Sequence, residues 1–300
     1  MGSSITILDG GMGRELARIG APFRQPEWSA LALYEAPERV REVHQSFINA
    51  GAEVITTNSY AVVPFHIGEA RFQQDGQRLA ALAGQLAREA AAAAAVPVRV
   101  AGSLPPALGS YRPDLFERDK AQAIHRVLIA AQAPYVDLWL GETISSIAEA
   151  EAIQALLQGS PQPLWLSFSL HDDINDVKPD SVLRSGERVT DAVAAAIRLG
   201  AQNVLFNCSH PEVMLSAVRQ AHETLARLGA TAGIGVYANA FEGGSNGGGA
   251  NQGLSALRKD THPQGYLQWA REWQQAGATL VGGCCGIGPE HIAALAHALK

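Results

Sequence analysis

Eight short apolar runs, each followed by an amphipathic stretch, set the strongest constraint on what this chain can fold into. They lie near residues 5–9, 52–58, 98–102, 135–142, 163–170, 203–208, 232–239 and 278–283. Runs this short, separated by stretches of helical periodicity, are the pattern of strands joined by crossover helices in a parallel sheet buried on both faces. In "PERVREVHQSFINAG", Pro37 supplies the fixed φ of a first helical position and Gly51 the stop. "GERVTDAVAAAIRLGA" ends in the same way at Gly200. The run Ala90 to Ala95 closes a long alanine-rich helix before Pro97 and is expected to pack closely on the sheet.

Eight such units in 300 residues, with no internal repeat and no linker, predict a (β/α)8 barrel forming one domain over residues 1–300. An open doubly wound sheet is the alternative. In a barrel the reactive groups belong at the C-terminal ends of the strands, and the unusual residues fall there. Asp9, Gly10 and Gly11 end the first strand, Thr56 to Tyr60 the second, and Glu142 and Thr143 the fourth. "NCSHPE" ends the sixth, "YANAF" the seventh and "GGCCG" the eighth.

A net charge of −6 provides no basic face for nucleic acid. No run reaches the roughly 18 apolar residues of a membrane span, and the first residues lack the charged-then-apolar pattern of a secretion signal. The expected setting is the cytoplasm, with no membrane partner, where thiols stay reduced. The opening "MGSSIT" matches a myristoylation pattern, but Ile5, Ile7 and Leu8 read as a strand that must pack. Asn207-Cys208-Ser209 matches a glycosylation acceptor, yet it follows the buried run "NVLF". The acidic loop 171–180 lacks the spacing of a calcium loop and reads as solvated charge. The Gly11-x-Gly13 pair lacks the third glycine of a dinucleotide fingerprint. Nothing in the composition sets an oligomeric state.

The chain has three cysteines, Cys208, Cys284 and Cys285, too few to staple 300 residues by disulfides. A vicinal reactive pair, buried filler and part of a metal site remain open. If strands six and eight are near neighbours around a barrel, Cys208 meets the adjacent pair at one rim. Zinc suits three thiolates, and catalytic zinc sites commonly keep three protein ligands and one open position. The glycines at 282, 283 and 286 fit a bend that lets adjacent side chains reach one ion. Three thiolates leave the ion a weak activator of water, but a thiol substrate is deprotonated outright on binding. The resulting negative centre should attract a cationic electrophile such as a sulfonium or a quaternary ammonium.

Taken in order, "LDGGMGREL", "ITTNSY", "ETIS", "FNCSHPE", "YANAF" and "GGCCG" resemble the homocysteine S-methyltransferases, zinc-dependent (β/α)8 barrels that include S-methylmethionine, selenocysteine and betaine enzymes. The resemblance spans nearly the whole chain. It implies Cys208, Cys284 and Cys285 as zinc ligands, with the open position taken by the sulfur of homocysteine. It implies Glu142 as the holder of the substrate ammonium and the loop Asp9-Gly10-Gly11 as the source of N–H groups for the substrate carboxylate. Thr57, Asn58 and Asn239 correspond to residues that line the family's pocket; read alone, each could equally be a strand-end cap.

The implied reaction is transfer of a methyl group from a small cationic donor, S-methylmethionine or S-adenosylmethionine, to homocysteine, giving methionine. Another thiol or selenol acceptor, an ammonium donor, and a zinc-holding protein without turnover are the alternatives. The chain departs from the common pattern at "AGSLPPALGSYRPD", 101–114, a loop expected to border the donor pocket, where Tyr111 could face a cation. The loop 241–260, with six glycines before Leu254, is expected to be a mobile cover.

Overall fold

The computed structural model describes residues 4–242 and 256–300. Its eight strands are β1 (Thr6–Ile7), β2 (Val54–Thr56), β3 (Arg99–Leu104), β4 (Leu138–Ile144), β5 (Leu164–Phe168), β6 (Asn203–Asn207), β7 (Gly233–Ala238) and β8 (Leu280–Gly283). Every neighbouring pair is parallel, and β1 pairs with β8 through Thr6 with Leu280 and Ile7 with Val281. The ring closes between β1 and β2 at the Leu8–Val54 bridge, where Glu53 N–H also donates to Ile7 C=O at 2.8 Å. This is the (β/α)8 barrel that the alternation of strands and helices predicts, not the open sheet.

Alternation along the strands sorts the two cores. Leu8, Val54, Ala101, Leu138, Leu140, Trp165, Leu205, Tyr237 and Leu280 form a cluster inside the barrel. The opposite faces of the strands pack on the helices, where Phe47, Leu79, Leu128, Phe168, Phe206 and Trp273 are buried. Side chains therefore fill the barrel as a solid core, and the open ground for chemistry is its C-terminal mouth.

The helix Pro37–Ala50 begins and ends as its sequence requires: Pro37 is the first residue and Gly51 follows at φ 115°. The helix before Pro97 spans Glu69–Ala92, but only Ala90 and Ala91 of its alanine run are buried. Ala92, Ala93 and Ala95 face solvent, so the close packing expected of the whole run is confined to its first turn. Most of the expected cover at 241–260 lies outside the described residues. Among the described residues no helix is long and apolar enough to cross a membrane.

Candidate active site

Two residues beyond the apolar layer, the inward positions turn polar. Ser103 follows Ala101, Glu142 follows Leu140, Ser167 follows Trp165, and Asn207 follows Leu205. All four are buried, so each needs a hydrogen-bonding partner. Glu142 receives two: the Ser103 hydroxyl on Oε2 and, at 3.1 Å, the Tyr237 hydroxyl on Oε1. Burial nevertheless raises the Glu142 carboxyl above the ordinary range, because neither donor carries a positive charge. Asp9 stands close by, with Oδ2 accepting from Thr56 N–H at 2.8 Å. Burial is the main reason that its pKa is pushed up to about 8, and the charge of Glu142 adds to the effect. Two carboxyl groups with no cationic partner among the described residues make the mouth receptive to an ammonium group.

Above this layer the three cysteines meet. Their sulfur atoms all lie within 4.8 Å of one another. Cys208 follows β6 directly, and its N–H donates to the Tyr237 carbonyl at 3.2 Å. Cys284 follows β8, and its N–H donates to the Ala238 carbonyl at 2.8 Å. The flanks of β7 thus tie both cysteine-bearing strand ends together. The structure joins Cys208 to Cys284 as a disulfide and leaves Cys285 a free thiol, so the bonded pair is the distant one rather than the adjacent one, and not the reduced set expected of the compartment. Burial pushes the Cys285 thiol up to about 11, with Arg14 pulling the other way.

The donor set fits a soft metal ion. With metal–sulfur bonds of about 2.3 Å, a tetrahedral ion holds its sulfurs about 3.8 Å apart. The present cluster reaches that spacing by reduction and a small separation of Cys208 from Cys284. A thiol with a raised pKa is the group a cation would convert to thiolate.

The glycines of the site act mainly through close approach. A Cβ on Gly10 would lie 2.2 Å from the Ile287 carbonyl oxygen, and one on Gly11 would lie 2.5 Å from that of Cys284. The first strand's end is thereby pressed against the turn that carries the cysteine pair. Gly286, at φ 84°, is the one of the three expected bend glycines with a left-handed backbone; at Gly282 and Gly283 space is the constraint. Gly11 N–H donates to Ile287 C=O at 2.9 Å, so it is not aimed at a ligand as the resemblance implied.

The pocket-lining residues divide. Thr57 has the opposite parity to inward-facing Val54, and its hydroxyl donates to Gln132 Oε1 at 2.6 Å in the helical layer while accepting from Ser103 N–H at 3.0 Å. It supports the site from behind. Asn58 donates from Nδ2 to Ser29 C=O at 3.0 Å, and Asn239 accepts from Phe241 N–H at 3.3 Å, shaping the turn after β7. Tyr111 does lie near the cysteines, feeling the charge of Cys285, but a resident cation, Arg184, already sits 4.2 Å from its ring centroid.

Two residues of the segment after β5 also reach the site unforeseen. Asp172 accepts from Arg184 at 3.0 Å and from His210 N–H at 2.9 Å, a strut rather than solvated charge. Arg184 donates onward to the Cys208 carbonyl at 3.2 Å. Asn207 and Tyr237 were equally unassigned, although polar side chains at inward positions of a barrel strand are a readable signal.

Comparison with known proteins agrees with this geometry. The family profile described as homocysteine S-methyltransferase matches residues 6–299. The homocysteine S-methyltransferase of Escherichia coli is 34% identical over 97% of this chain and 94% of its own length. The selenocysteine methyltransferase of Astragalus bisulcatus is 26% identical over 95% of this chain and 90% of its own. The crystal structure of the Escherichia coli homocysteine methyltransferase in its metallated form superposes with a TM-score of 0.77 at 30% identity, over 98% of this chain and 96% of that one. With cysteines, carboxyl groups and barrel mouth arranged as described, the chain belongs to the homocysteine S-methyltransferase family, enzymes that transfer a methyl group to homocysteine.

Proposed function

We propose that this chain, as a single domain over residues 1–300, holds one zinc ion through Cys208, Cys284 and Cys285 and methylates homocysteine from a small sulfonium donor. The observation that carries the reading is the convergence of three sulfurs within 4.8 Å beside the buried carboxyl of Glu142. The ion, when bound, supplies deprotonation of the acceptor thiol at neutral pH. The cytoplasm is the fitting compartment, because the ligand set requires reduced thiols.

The chain's own residues bind and orient. Glu142 receives the substrate ammonium, a cation that restores its charged form, and Asp9 adds a second carboxyl to the same wall. Tyr237 and Ser103 set the direction of Glu142 through their hydroxyls. Gly10 and Gly11 allow the cysteine turn to approach that wall. The methyl carbon is attacked in line by the acceptor sulfur as the carbon–sulfur bond of the donor breaks. The bonding pair leaves with the donor sulfur, which departs as a neutral thioether and requires no general acid. The rate gain rests on thiolate formation and on alignment of the two sulfurs about the methyl group.

A selenol acceptor at the same site is the second reading, favoured by the similarity to a selenocysteine methyltransferase. Elemental analysis of reduced protein, beside assays of homocysteine with S-methylmethionine and with S-adenosylmethionine, tests the proposal. One zinc per chain with methionine formed is the expected result, and Cys208→Ser or Cys285→Ser should abolish both. A variant that turns over normally without metal would end it.

A further inference from the structure

We infer that Asn207 is the positioning residue that couples the acceptor-binding carboxylate to the metal-binding cysteine. The inference rests on the function proposed above. Asn207 is fully buried on the inward face of β6, immediately before Cys208. Its carboxamide spans to β4 and grips one residue twice: Thr143 N–H donates to Oδ1 at 2.9 Å, and Nδ2 donates to Thr143 Oγ1 at 2.9 Å. The second lone pair of Oδ1 is filled by the Ser167 hydroxyl at 2.7 Å. A carboxamide meets the two groups of Thr143 with one donor and one acceptor.

The residues tied together are the immediate neighbours of the two functional ones. Thr143 follows Glu142, and Asn207 precedes Cys208. Thr143 has φ 56° and Cys208 has φ 47°, both left-handed and neither a glycine. For a β-branched residue such as Thr143 this backbone is a true outlier, and it persists only where the surroundings over-determine it. The pairing of β4 with β5 shifts register between Gly141 and Ile144, so the ladder itself does not hold Thr143. The carboxamide holds the Thr143 N–H, and the Thr143 hydroxyl is shared between the carboxamide and Tyr60. Removing the carboxamide releases Thr143 toward an ordinary backbone, which turns the Glu142 carboxylate, and frees the end of β6, which moves the sulfur of Cys208. Both ligands therefore act on one element, and each should feel the other's presence through it.

Cobalt-substituted protein tests this. Metal affinity is read by competition with a chelator, and homocysteine binding by the sulfur-to-cobalt charge-transfer absorbance, alongside kcat and KM for homocysteine. Asn207→Ala is expected to lose roughly 10–100-fold in metal affinity and to raise the homocysteine half-saturation by a similar factor, the range seen when the partners of metal ligands are removed. Asn207→Asp keeps the size of the side chain and the acceptor for Thr143 N–H, and should shift both readings in the same direction by less. Adding Thr143→Gly to Asn207→Ala should recover part of the homocysteine affinity, because glycine adopts positive φ without being held; a general packing role would not give that recovery. A folded Asn207 variant with both affinities within about 2-fold of the wild type would overturn the inference. A wild-type cobalt form that does not respond to homocysteine would instead remove the proposed function on which it stands.

Discussion

The guanidinium of Arg184 lies 4.2 Å from the centroid of the Tyr111 ring and donates to the carbonyl of Cys208 at 3.2 Å. One side chain from the loop after β5 thus holds both the loop after β3 and the strand end that carries Cys208. It is anchored by Asp172 and by the Ser169 hydroxyl at 2.8 Å. Arg184→Ala leaves Asp172, in a mostly buried setting, with the His210 N–H but without its guanidinium partner, and should destabilise the fold by about 2–3 kcal/mol. Arg184→Lys keeps the charge but loses the fork and should recover only part of it. Thermal melting of the two variants checks the order.

Tyr237 sets one oxygen of Glu142, and its hydroxyl is the only part of the side chain that Tyr237→Phe removes. The barrel core keeps its ring. Loss of a hydrogen bond to a charged group costs about 1.5–3 kcal/mol. KM for homocysteine should rise at least about 10-fold, with a smaller change in kcat. Steady-state kinetics separates the two parameters, and an unchanged KM would mean that Glu142 is held without this hydroxyl.

Acid should destabilise the protein through a residue remote from the mouth. His44 is fully buried in the helix Pro37–Ala50, and neither ring nitrogen has a hydrogen-bond partner among the described residues. Burial pushes its pKa down to about 4, below the 6.5 of an exposed histidine. Between those values the unfolded chain takes up a proton that the folded chain refuses. Its contribution is therefore fully present above pH 6.5 and is lost as pH falls toward 4, a decline on the order of 3 kcal/mol. His44→Leu should flatten that part of the curve in denaturant titrations between pH 7.5 and 4.5; an unaltered slope would show that other groups set it.

Gly10→Ala should be costly even though the added group is only a methyl. It would meet the Ile287 carbonyl at 2.2 Å and the Phe47 ring at 2.7 Å, so the cysteine turn would have to shift. Overpacking of this kind destabilises by about 1–3 kcal/mol. Chemical unfolding measures the loss, and metal stoichiometry should fall with it. Gly20→Ala is a useful contrast, because among the described residues nothing lies within 4 Å of a Cβ at Gly20 and the cost comes from φ 79°.

Much of the architecture was legible beforehand because its causes are local. Apolar runs of strand length, Pro37 opening a helix and Gly51 closing it act over a few residues, and each recurs in the structure. The meeting of Cys208 with Cys284 and Cys285 followed from strand count and order, since a closed parallel ring leaves β6 and β8 separated only by β7. Glu142 was legible as a polar residue at a strand end. Thr57 was harder to place: its hydroxyl faces Gln132, and only the parity of a strand boundary decides which way it turns.

The sequence by itself therefore determined the barrel, the strand ends at which chemistry would gather and the thiol-rich character of the site. Tertiary structure decided which of those groups touch. That Gly11 N–H is spent on Ile287, that Arg184 occupies the face of Tyr111, and that Asn207 spans to Thr143 are all contacts between distant segments. Such contacts depend on ångström-scale approach between strand ends packed on a common core, whereas propensity and periodicity act within single segments. Positions along the chain specify what is available at the mouth, and packing specifies its partners.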